Sequence, residues 1–234
     1  RGLVVSEGIP RIADALGALD AGPPPTIDGG SPALTEAAQS VGRVTGAAYA
    51  CGQTQSGSAF VIADDRLLTN AHVVAGVTEP TVELPGVGGV AGRIVYFDAQ
   101  QDVAVIAIDG LSTAPLALGE TLPDGTVAVQ GYPFGGPFAS TGAEIVDVST
   151  IEASSIDGGS RAARESYTLA ADVNPGNSGG PVLDLDGRVI GMVYARSATR
   201  DDVGYAHTMA ELDDVIAAAP QLTDAVGSGR CTTR

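Results

Sequence analysis

The chain has 234 residues, of which 44% are hydrophobic, so it can bury the core of one or two globular domains. It carries 28 acidic and 12 basic residues, a formal net charge of −16. A surface of that sign repels nucleic acid and anionic lipid, so we expect neither as a partner.

Residues 1–39 are predicted to form an N-terminal arm or linker ahead of the main domain. The opening RGLVVSEGIP has no features of a signal peptide, and no apolar run is long enough to cross a bilayer, so an anchor or export signal is expected upstream. PRIADALGALDAG (10–22) has the apolar spacing of a helix, and PPPTIDGGSP then breaks the chain. SPALTEAAQSVG predicts a second short helix with Ser31 or Thr35 as its cap.

From residue 40 onward, short runs rich in β-branched residues are separated by Gly, Pro and Asp turns. The predicted strands lie in RVTGAAYA, GSAFVIA, RLLTN, GRIVYFD, VAVIAI, TVAVQGY, AEIVDVSTIEA, SYTLAA, GPVLDLDGRVIGMVYA and VGYAHTM. The segment AELDDVIAAA predicts one helix near the end of the chain. Ten or more strands without interleaved helices indicate an all-β protein, a sandwich or barrels, rather than a parallel α/β sheet.

The two cysteines, Cys51 and Cys231, are too far apart in sequence for a C-x-x-C redox or zinc motif. Cys231 lies in the polar tail GSGRCTTR, where a buried thiol is unfavourable, so we predict that the two form a disulfide. The alternative is two unrelated buried thiols. A disulfide indicates an oxidising compartment outside the cytosol. We expect neither a metal ion nor a cofactor.

The stretch NPGNSGGPV contains Ser178 in the pattern G-x-S-x-G, which has three interpretations. The serine is an esterase nucleophile on a strand-to-helix turn, a protease nucleophile on an all-β scaffold, or part of a glycine-rich loop. An esterase elbow needs a helix after the serine, but GGPVLDLDGRVIGMVYA predicts a hairpin. The one histidine downstream, His207, follows Asp201 and Asp202 too closely for that fold. His207 is therefore expected to be a packing or rim residue rather than a base.

The other candidate base is His72 in LLTNAHVVAG, just after a predicted strand. Asp102 opens the nearly continuous apolar strand QDVAVIAI, and a carboxylate there is costly unless it has a partner. An imidazole N–H is the natural partner, because the carboxylate then holds the ring in the tautomer that accepts a serine proton. Taken singly, each residue also has a structural interpretation: His72 as a structural histidine after a strand, and Asp102 as the cap of a strand. The order His72, Asp102, Ser178 favours catalysis.

The motifs TNAHVV, QDVAVI and NPGNSGGPV, with GYPFGG at 131–136, resemble those of chymotrypsin-fold serine proteases of the HtrA-like (DegP-like) branch. The resemblance covers residues 40–218. It implies two six-stranded antiparallel β-barrels, about 40–115 and about 120–210, followed by a helix and tail at 211–234. The active site would lie between the barrels.

The resemblance also implies roles for further residues. The backbone N–H groups of Gly176 and Ser178 would form the oxyanion hole. The primary substrate pocket would be lined by Asp172, Val173, Tyr194, Ala195 and Gly204. Asp172 at the pocket floor would favour a basic substrate residue, unless its carboxylate points elsewhere and pairs with an internal donor.

The implied partner is a protein or peptide substrate, cleaved outside the cytosol, in the periplasm, by a protease tethered to the membrane through upstream helices. Asn177 stands where digestive relatives carry an acid, so the site is expected to form without N-terminal processing. HtrA-like proteins usually carry a PDZ domain, but none follows in this sequence, and we expect a monomer. The rival hypotheses are a peptide-binding module on a decayed protease fold and an esterase that uses Ser178.

Overall fold

The computed structural model describes residues 4–6, 8–13 and 20–232. The helices within these ranges are α1 Pro32–Ala38, α2 Ala71–Val74 and α3 Met209–Ala218. The strands are β1 Val4–Ser6, β2 Arg11–Ile12, β3 Val41–Ala48, β4 Gln53–Ala63, β5 Arg66–Thr69, β6 Thr81–Leu84, β7 Gly88–Ala91, β8 Arg93–Asp98, β9 Val103–Ala107, β10 Gly125–Gly131, β11 Ala139–Ser154, β12 Arg161–Ala170, β13 Pro181–Leu183, β14 Val189–Ser197 and β15 Val203–Thr208. The prediction of an all-β chain with one closing helix is confirmed.

The first sheet has the order β7-β6-β3-β4-β5-β9-β8, with antiparallel pairing throughout and β1 added in parallel on β4. It contains seven antiparallel strands rather than the six that the resemblance implies, and two of the seven are the short hairpin β6–β7 in TVELPGVGGVAG. That hairpin was not predicted. Strand β6 alternates exposed and buried residues, but two of the four residues of β7 are glycine and three are exposed, so its sequence has no strand-like apolar pattern.

The second sheet closes on itself. Its order is β13-β10-β11-β12-β15-β14, and β14 pairs again with β13, which completes a ring of six antiparallel strands. Strands β3–β9 all lie between residues 41 and 107, and β10–β15 between 125 and 208. Each sheet is therefore built from a contiguous part of the chain, and any group shared between them joins distant sequence motifs.

One segment of the N-terminal arm differs from the prediction, because a strand is present where the predicted helix begins. The helix predicted for 10–22 falls mainly on residues 14–19, which lie outside the described residues, while Arg11–Ile12 form β2, parallel to the end of β14. Strand β1 pairs with the first sheet and β2 with the second. The predicted helix α1 is present, and the Ser31 hydroxyl caps it by accepting from the N–H of Leu34.

Aliphatic side chains and alanine make up most of the core, and its largest fully buried side chains are Tyr167, Tyr194, Tyr205 and Phe60. The largest buried cluster joins both sheets, since it combines Phe60 and Leu68 of the first with Met192 of the second and Leu212 of α3. Because this cluster spans the boundary, the two sheets are held together by apolar burial and their facing edges are fixed relative to each other.

Candidate active site

His72 lies on the single helical turn α2, directly after β5. The side chain of Asn70, immediately before this turn, donates from Nδ2 to the carbonyl of Asp102 at 2.9 Å. This bond ties the start of the turn to the residue that opens β9. His72 is thereby held in a buried position at the end of the first sheet.

Asp102 is fully buried and binds His72 twice. Its Oδ1 accepts from the backbone N–H of His72 at 2.9 Å, and its Oδ2 lies 2.7 Å from His72 Nδ1. Two bonds to one residue fix both the position and the rotation of the imidazole. With its proton on Nδ1, the ring leaves Nε2 as an acceptor, and Nε2 has no hydrogen-bond partner among the described residues.

Ser178 lies in the turn between β12 and β13, and it is buried. Its carbonyl accepts from the N–H of Ser58 on β4 at 2.8 Å, so the turn is attached to the first sheet. The next residue, Gly179, has φ +81°, and a Cβ there would overlap the Ser58 carbonyl. The close approach of the two sheets at this point therefore requires glycine.

The attachment point of Ser178 is also joined to the His72 segment. Thr69, at the end of β5 and close to His72 in sequence, donates from Oγ1 to the carbonyl of Ser58 at 2.7 Å. No hydrogen bond joins Ser178 Oγ to His72 Nε2, and within the described ranges both buried atoms lack partners. Catalytic hydrogen bonds of this kind are often long in a protein without substrate.

The peptides around Gly176 are oriented by their carbonyls. The carbonyl of Pro175 accepts from the N–H of Phe134 at 2.5 Å, and that of Asn177 accepts from the N–H of Gly180 at 2.9 Å. In a trans peptide the N–H points opposite to the carbonyl, so the N–H groups of Gly176 and Ser178 point away from these partners. Neither N–H donates a hydrogen bond in the part of the chain that the structure describes.

Gly176 has φ +97°, and a Cβ at this position would overlap the carbonyl of Tyr132 in the GYPFGG turn. A side chain would push the two loops apart and turn the Gly176 N–H. Glycine at this position therefore allows the tight turn and keeps the N–H groups of Gly176 and Ser178, on either side of Asn177, in their orientation. Such a pair of free N–H groups is what an oxyanion needs.

Of the five residues expected to line the substrate pocket, one is exposed and the other four are buried. Asp172 is exposed, and its Oδ1 accepts from Asn174 Nδ2 at 3.0 Å. Val173 is buried against Gly204, where a Cβ would overlap the valine side chain. Ala195 is buried on β14. Asp172 is thus a surface carboxylate with a neighbouring amide donor rather than a group enclosed with the other four.

Tyr194 belongs to a buried polar cluster that was not predicted. Its hydroxyl lies 2.9 Å from Ser166 Oγ, its ring stacks on His207 with centroids 4.3 Å apart, and the guanidinium of Arg164 lies 5.3 Å from its ring centroid. Arg164 donates to the carbonyl of Gln100, two residues before Asp102. Burial raises the pKa of Tyr194 to about 12, so the phenol stays neutral.

His207 is fully buried, and both ring nitrogens lack hydrogen-bond partners among the described residues. The pKa of His207 is lowered to about 3, mainly by burial; the charges of Arg164 and His72 also lower it, and that of Asp102 opposes the shift. A neutral imidazole packed on Tyr194 fits the expectation of a packing residue. It is not a rim residue, because none of its surface is exposed.

The buried His207 is expected to make the protein less stable in acid. Its pKa is lower in the folded protein than the ordinary 6.5 of the unfolded chain, so its contribution is complete above pH 6.5 and is lost as the pH falls toward 3. From pH 7 to pH 5 the loss is about 2 kcal/mol in the free energy of unfolding. Urea unfolding should show this loss in the wild type and a flatter pH dependence in His207→Phe, which keeps the ring stack. Equal pH dependence in both proteins would contradict it.

Comparison with known proteins places this geometry in a family. The trypsin-like peptidase domain family matches residues 57–192, more than half of the chain. The chain belongs to the trypsin-like peptidase family. The resemblance to chymotrypsin-fold proteases and the two-sheet architecture expected from it are both confirmed.

Among the similar proteins, serine protease Rv3671c of Mycobacterium tuberculosis is 33% identical over 238 residues, covering 99% of this chain and 59% of that protein. The chain thus spans little more than half the length of this relative. A probable periplasmic serine endoprotease, DegP-like, of Halomonas elongata is 37% identical over 152 residues, covering 60% of this chain and 30% of that protein.

Solved structures give the same result. The crystal structure of the active form of the Rv3671c protease superimposes with a TM-score of 0.82 at 32% identity, covering 96% of this chain and 95% of the other. The inactive form gives a TM-score of 0.71 at 30% identity, covering 90% of this chain and 99% of the other. By this measure, the structure is more similar to the active form than to the inactive one.

Proposed function

We propose that this chain is a serine endopeptidase that hydrolyses peptide bonds through His72, Asp102 and Ser178. The observation that carries the proposal is the buried carboxylate of Asp102, which receives both the backbone N–H and the Nδ1 of His72. Among the described residues no group bonds to the second ring nitrogen, so the imidazole is held ready to accept a proton. The buried serine of the NPGNSGGPV turn, on the facing sheet, is its natural donor.

In the proposed mechanism, Ser178 Oγ attacks the carbonyl carbon of the scissile bond while His72 Nε2 takes the hydroxyl proton. The imidazolium then gives that proton to the leaving amine, and an acyl-enzyme remains on Ser178. Water attacks the acyl carbon, His72 again accepts and returns a proton, and the acid product leaves. Asp102 stays ionised and stabilises the imidazolium in both steps.

The negative charge on the substrate oxygen would be met by the N–H groups of Gly176 and Ser178. Their fixed carbonyl partners on the opposite side of each peptide support this role, because the donors are then oriented before the reaction begins. No metal or cofactor has a part in this mechanism.

We further propose that the protease acts as a monomer in the periplasm, tethered through a segment upstream of this sequence, and contributes to survival of acid or other stress. The disulfide Cys51–Cys231 and the periplasmic, DegP-like relatives support the compartment. Among the described residues, no helix is long and apolar enough to cross a membrane. The sequence pI of about 4.2 leaves the surface negatively charged in moderate acid, which favours solubility there.

We propose that residues 1–39 form an arm and that residues 40–234 form the protease domain. The pairing of β1 and β2 with the two sheets means that the arm packs on the domain rather than standing apart from it.

We propose a preference for Arg or Lys before the scissile bond, through Asp172. Because this carboxylate is exposed and solvent screens its charge, Asp172→Asn is expected to lower kcat/KM for basic peptides only about fivefold. Cleavage after apolar residues should not change. Paired peptides that differ only at this residue test the prediction, and equal losses on both would assign Asp172 a structural role.

A library of unstructured peptides tests the function itself. Mass spectrometry should find new peptide termini with the wild type and none with Ser178→Ala. Binding without cleavage would instead indicate a peptide-binding module. Hydrolysis of esters alone, dependent on His207 and independent of His72, would indicate an esterase.

A further inference from the structure

Ser58 on β4 contacts the nucleophile turn with both its backbone and its side chain. Its N–H donates to the Ser178 carbonyl at 2.8 Å, and its Oγ donates to the Gly176 carbonyl at 2.7 Å. The same Oγ accepts from the N–H of Tyr132 at 3.0 Å. Ser58 is completely buried, so these bonds form away from solvent.

The direction of these bonds follows from the chemistry of a hydroxyl. Oγ has one proton, and the Tyr132 N–H occupies an acceptor position, so the proton is available for the Gly176 carbonyl. One hydroxyl therefore joins the GYPFGG turn to the nucleophile turn. Both turns matter for the donors, since the N–H of Phe134, in the first of them, holds the Pro175 carbonyl.

Fixing these carbonyls restricts the N–H groups beside them. The bond to Gly176 O sets the peptide that follows Gly176, and the bond from Phe134 sets the peptide that precedes it. With both peptide planes fixed, the φ and ψ angles of Gly176 have little freedom. The bond to Ser178 O likewise fixes the backbone that carries the Oγ.

Ser58 is tightly packed against the glycines beside it. A Cβ on Gly131 would lie 2.8 Å from Ser58 Oγ, and one on Gly179 would overlap the Ser58 carbonyl. A variant that removes the hydroxyl leaves the Tyr132 N–H and the Gly176 carbonyl without a protein partner in a buried site, where the turn must shift to satisfy them.

We propose that Ser58 is a positioning residue for catalysis: from the first sheet, it holds the Gly176 and Ser178 peptides of the second sheet in the geometry that binds the oxyanion. This inference rests on the proposed function of Ser178 and deepens it. It predicts that the hydroxyl of Ser58 affects the transition state and not substrate binding, because it bonds to the carbonyl of Gly176, whose own N–H is one of the donors, and to no residue of the expected substrate pocket.

The test compares Ser58→Ala with the matched control Ser56→Ala. Ser56 lies two residues earlier on β4, and its Oγ has no hydrogen-bond partner in the described structure. We expect Ser58→Ala to lower kcat about 10- to 100-fold with KM within about threefold. The inhibition constant of a peptide trifluoromethyl ketone, whose adduct carries an oxyanion, should rise by a similar factor. Ser56→Ala should leave both within about twofold.

Rates are to be divided by the amount of Ser178 that a fluorophosphonate labels in each protein, so that unfolded enzyme is not counted. If the wild type is not labelled at Ser178, the proposed function fails. If the wild type is labelled and Ser58→Ala keeps the wild-type kcat per labelled site, the positioning role alone is wrong.

Ser58→Gly provides a second variant if the alanine protein does not fold. Glycine leaves room for water at the hydroxyl position, so kcat should lie between the wild-type and alanine values. A lower unfolding midpoint with an unchanged kcat per labelled site, in either variant, would reduce Ser58 to a structural residue and overturn the proposal.

Discussion

Replacement of His72 by alanine is expected to lower kcat for peptide hydrolysis by about 10⁵-fold or more, and Ser178→Ala should have an effect of the same size. The reason is that the two act as one unit: without the imidazole, no base takes the Oγ proton, and without the hydroxyl, the imidazole has nothing to activate. The double variant should therefore be no slower than either single variant. Steady-state kinetics on one peptide, with active-site titration of the wild type, measures all three.

The control for this experiment is His207→Phe, which removes the second of the two histidines of the chain and keeps the stack on Tyr194. Its kcat above pH 7 should remain within about tenfold of the wild type, because the triad is untouched. If His207→Phe were inactive and His72→Ala active, the assignment of the base would be reversed. Additive losses in the double variant would also contradict the account.

Removal of the disulfide is expected to destabilise the chain strongly. Cys51 and Cys231 are bonded across a sequence separation of 180 residues. Closing a loop of that length lowers the entropy of the unfolded chain, which stabilises the folded protein by about 5 kcal/mol in the chain-entropy model. The double variant Cys51→Ser, Cys231→Ser should lose much of that stability. Urea unfolding at pH 7 of the oxidised wild type, the reduced wild type and the double variant measures this loss.

The disulfide lies close to the end of the His72 turn. A Cβ on Gly76 would lie 2.8 Å from the sulfur of Cys51, and the Gly76 N–H donates to the carbonyl of Ser228 in the tail at 3.1 Å. Reduction should therefore loosen the tail from this loop and speed amide exchange at Gly76. Reductant should have no effect on the double serine variant. Equal unfolding midpoints for wild type and double variant would show that the bond contributes nothing.

Much of the fold was predictable because its signals are local. Short apolar strands, glycine turns and the closing helix follow from residue order, and Ser31 marks the start of α1 as expected. The hairpin β6–β7 and the arm strands β1 and β2 have no such signal. The pairing partners of β1 and β2 lie far away in the sequence, while half of β7 is glycine and most of its residues are exposed.

The candidate site shows the same division. His72, Asp102 and Ser178 stand out in sequence because each lies in a motif with an unusual residue type for its surroundings. Ser58 and Arg164 do not, since a serine in a strand and an arginine in a polar strand are ordinary until the opposite sheet is placed against them. The exposed position of Asp172 likewise depends on how its loop turns, which its neighbours in sequence do not determine.

The most direct test of the central claim is the labelling of the intact chain by a fluorophosphonate, followed by peptide mapping. A hydroxyl activated by the imidazole should be modified at Ser178 alone, rapidly in the wild type and not detectably in His72→Ala. Modification elsewhere, or labelling of Ser178 at equal rates in both proteins, would show that His72 does not activate this serine.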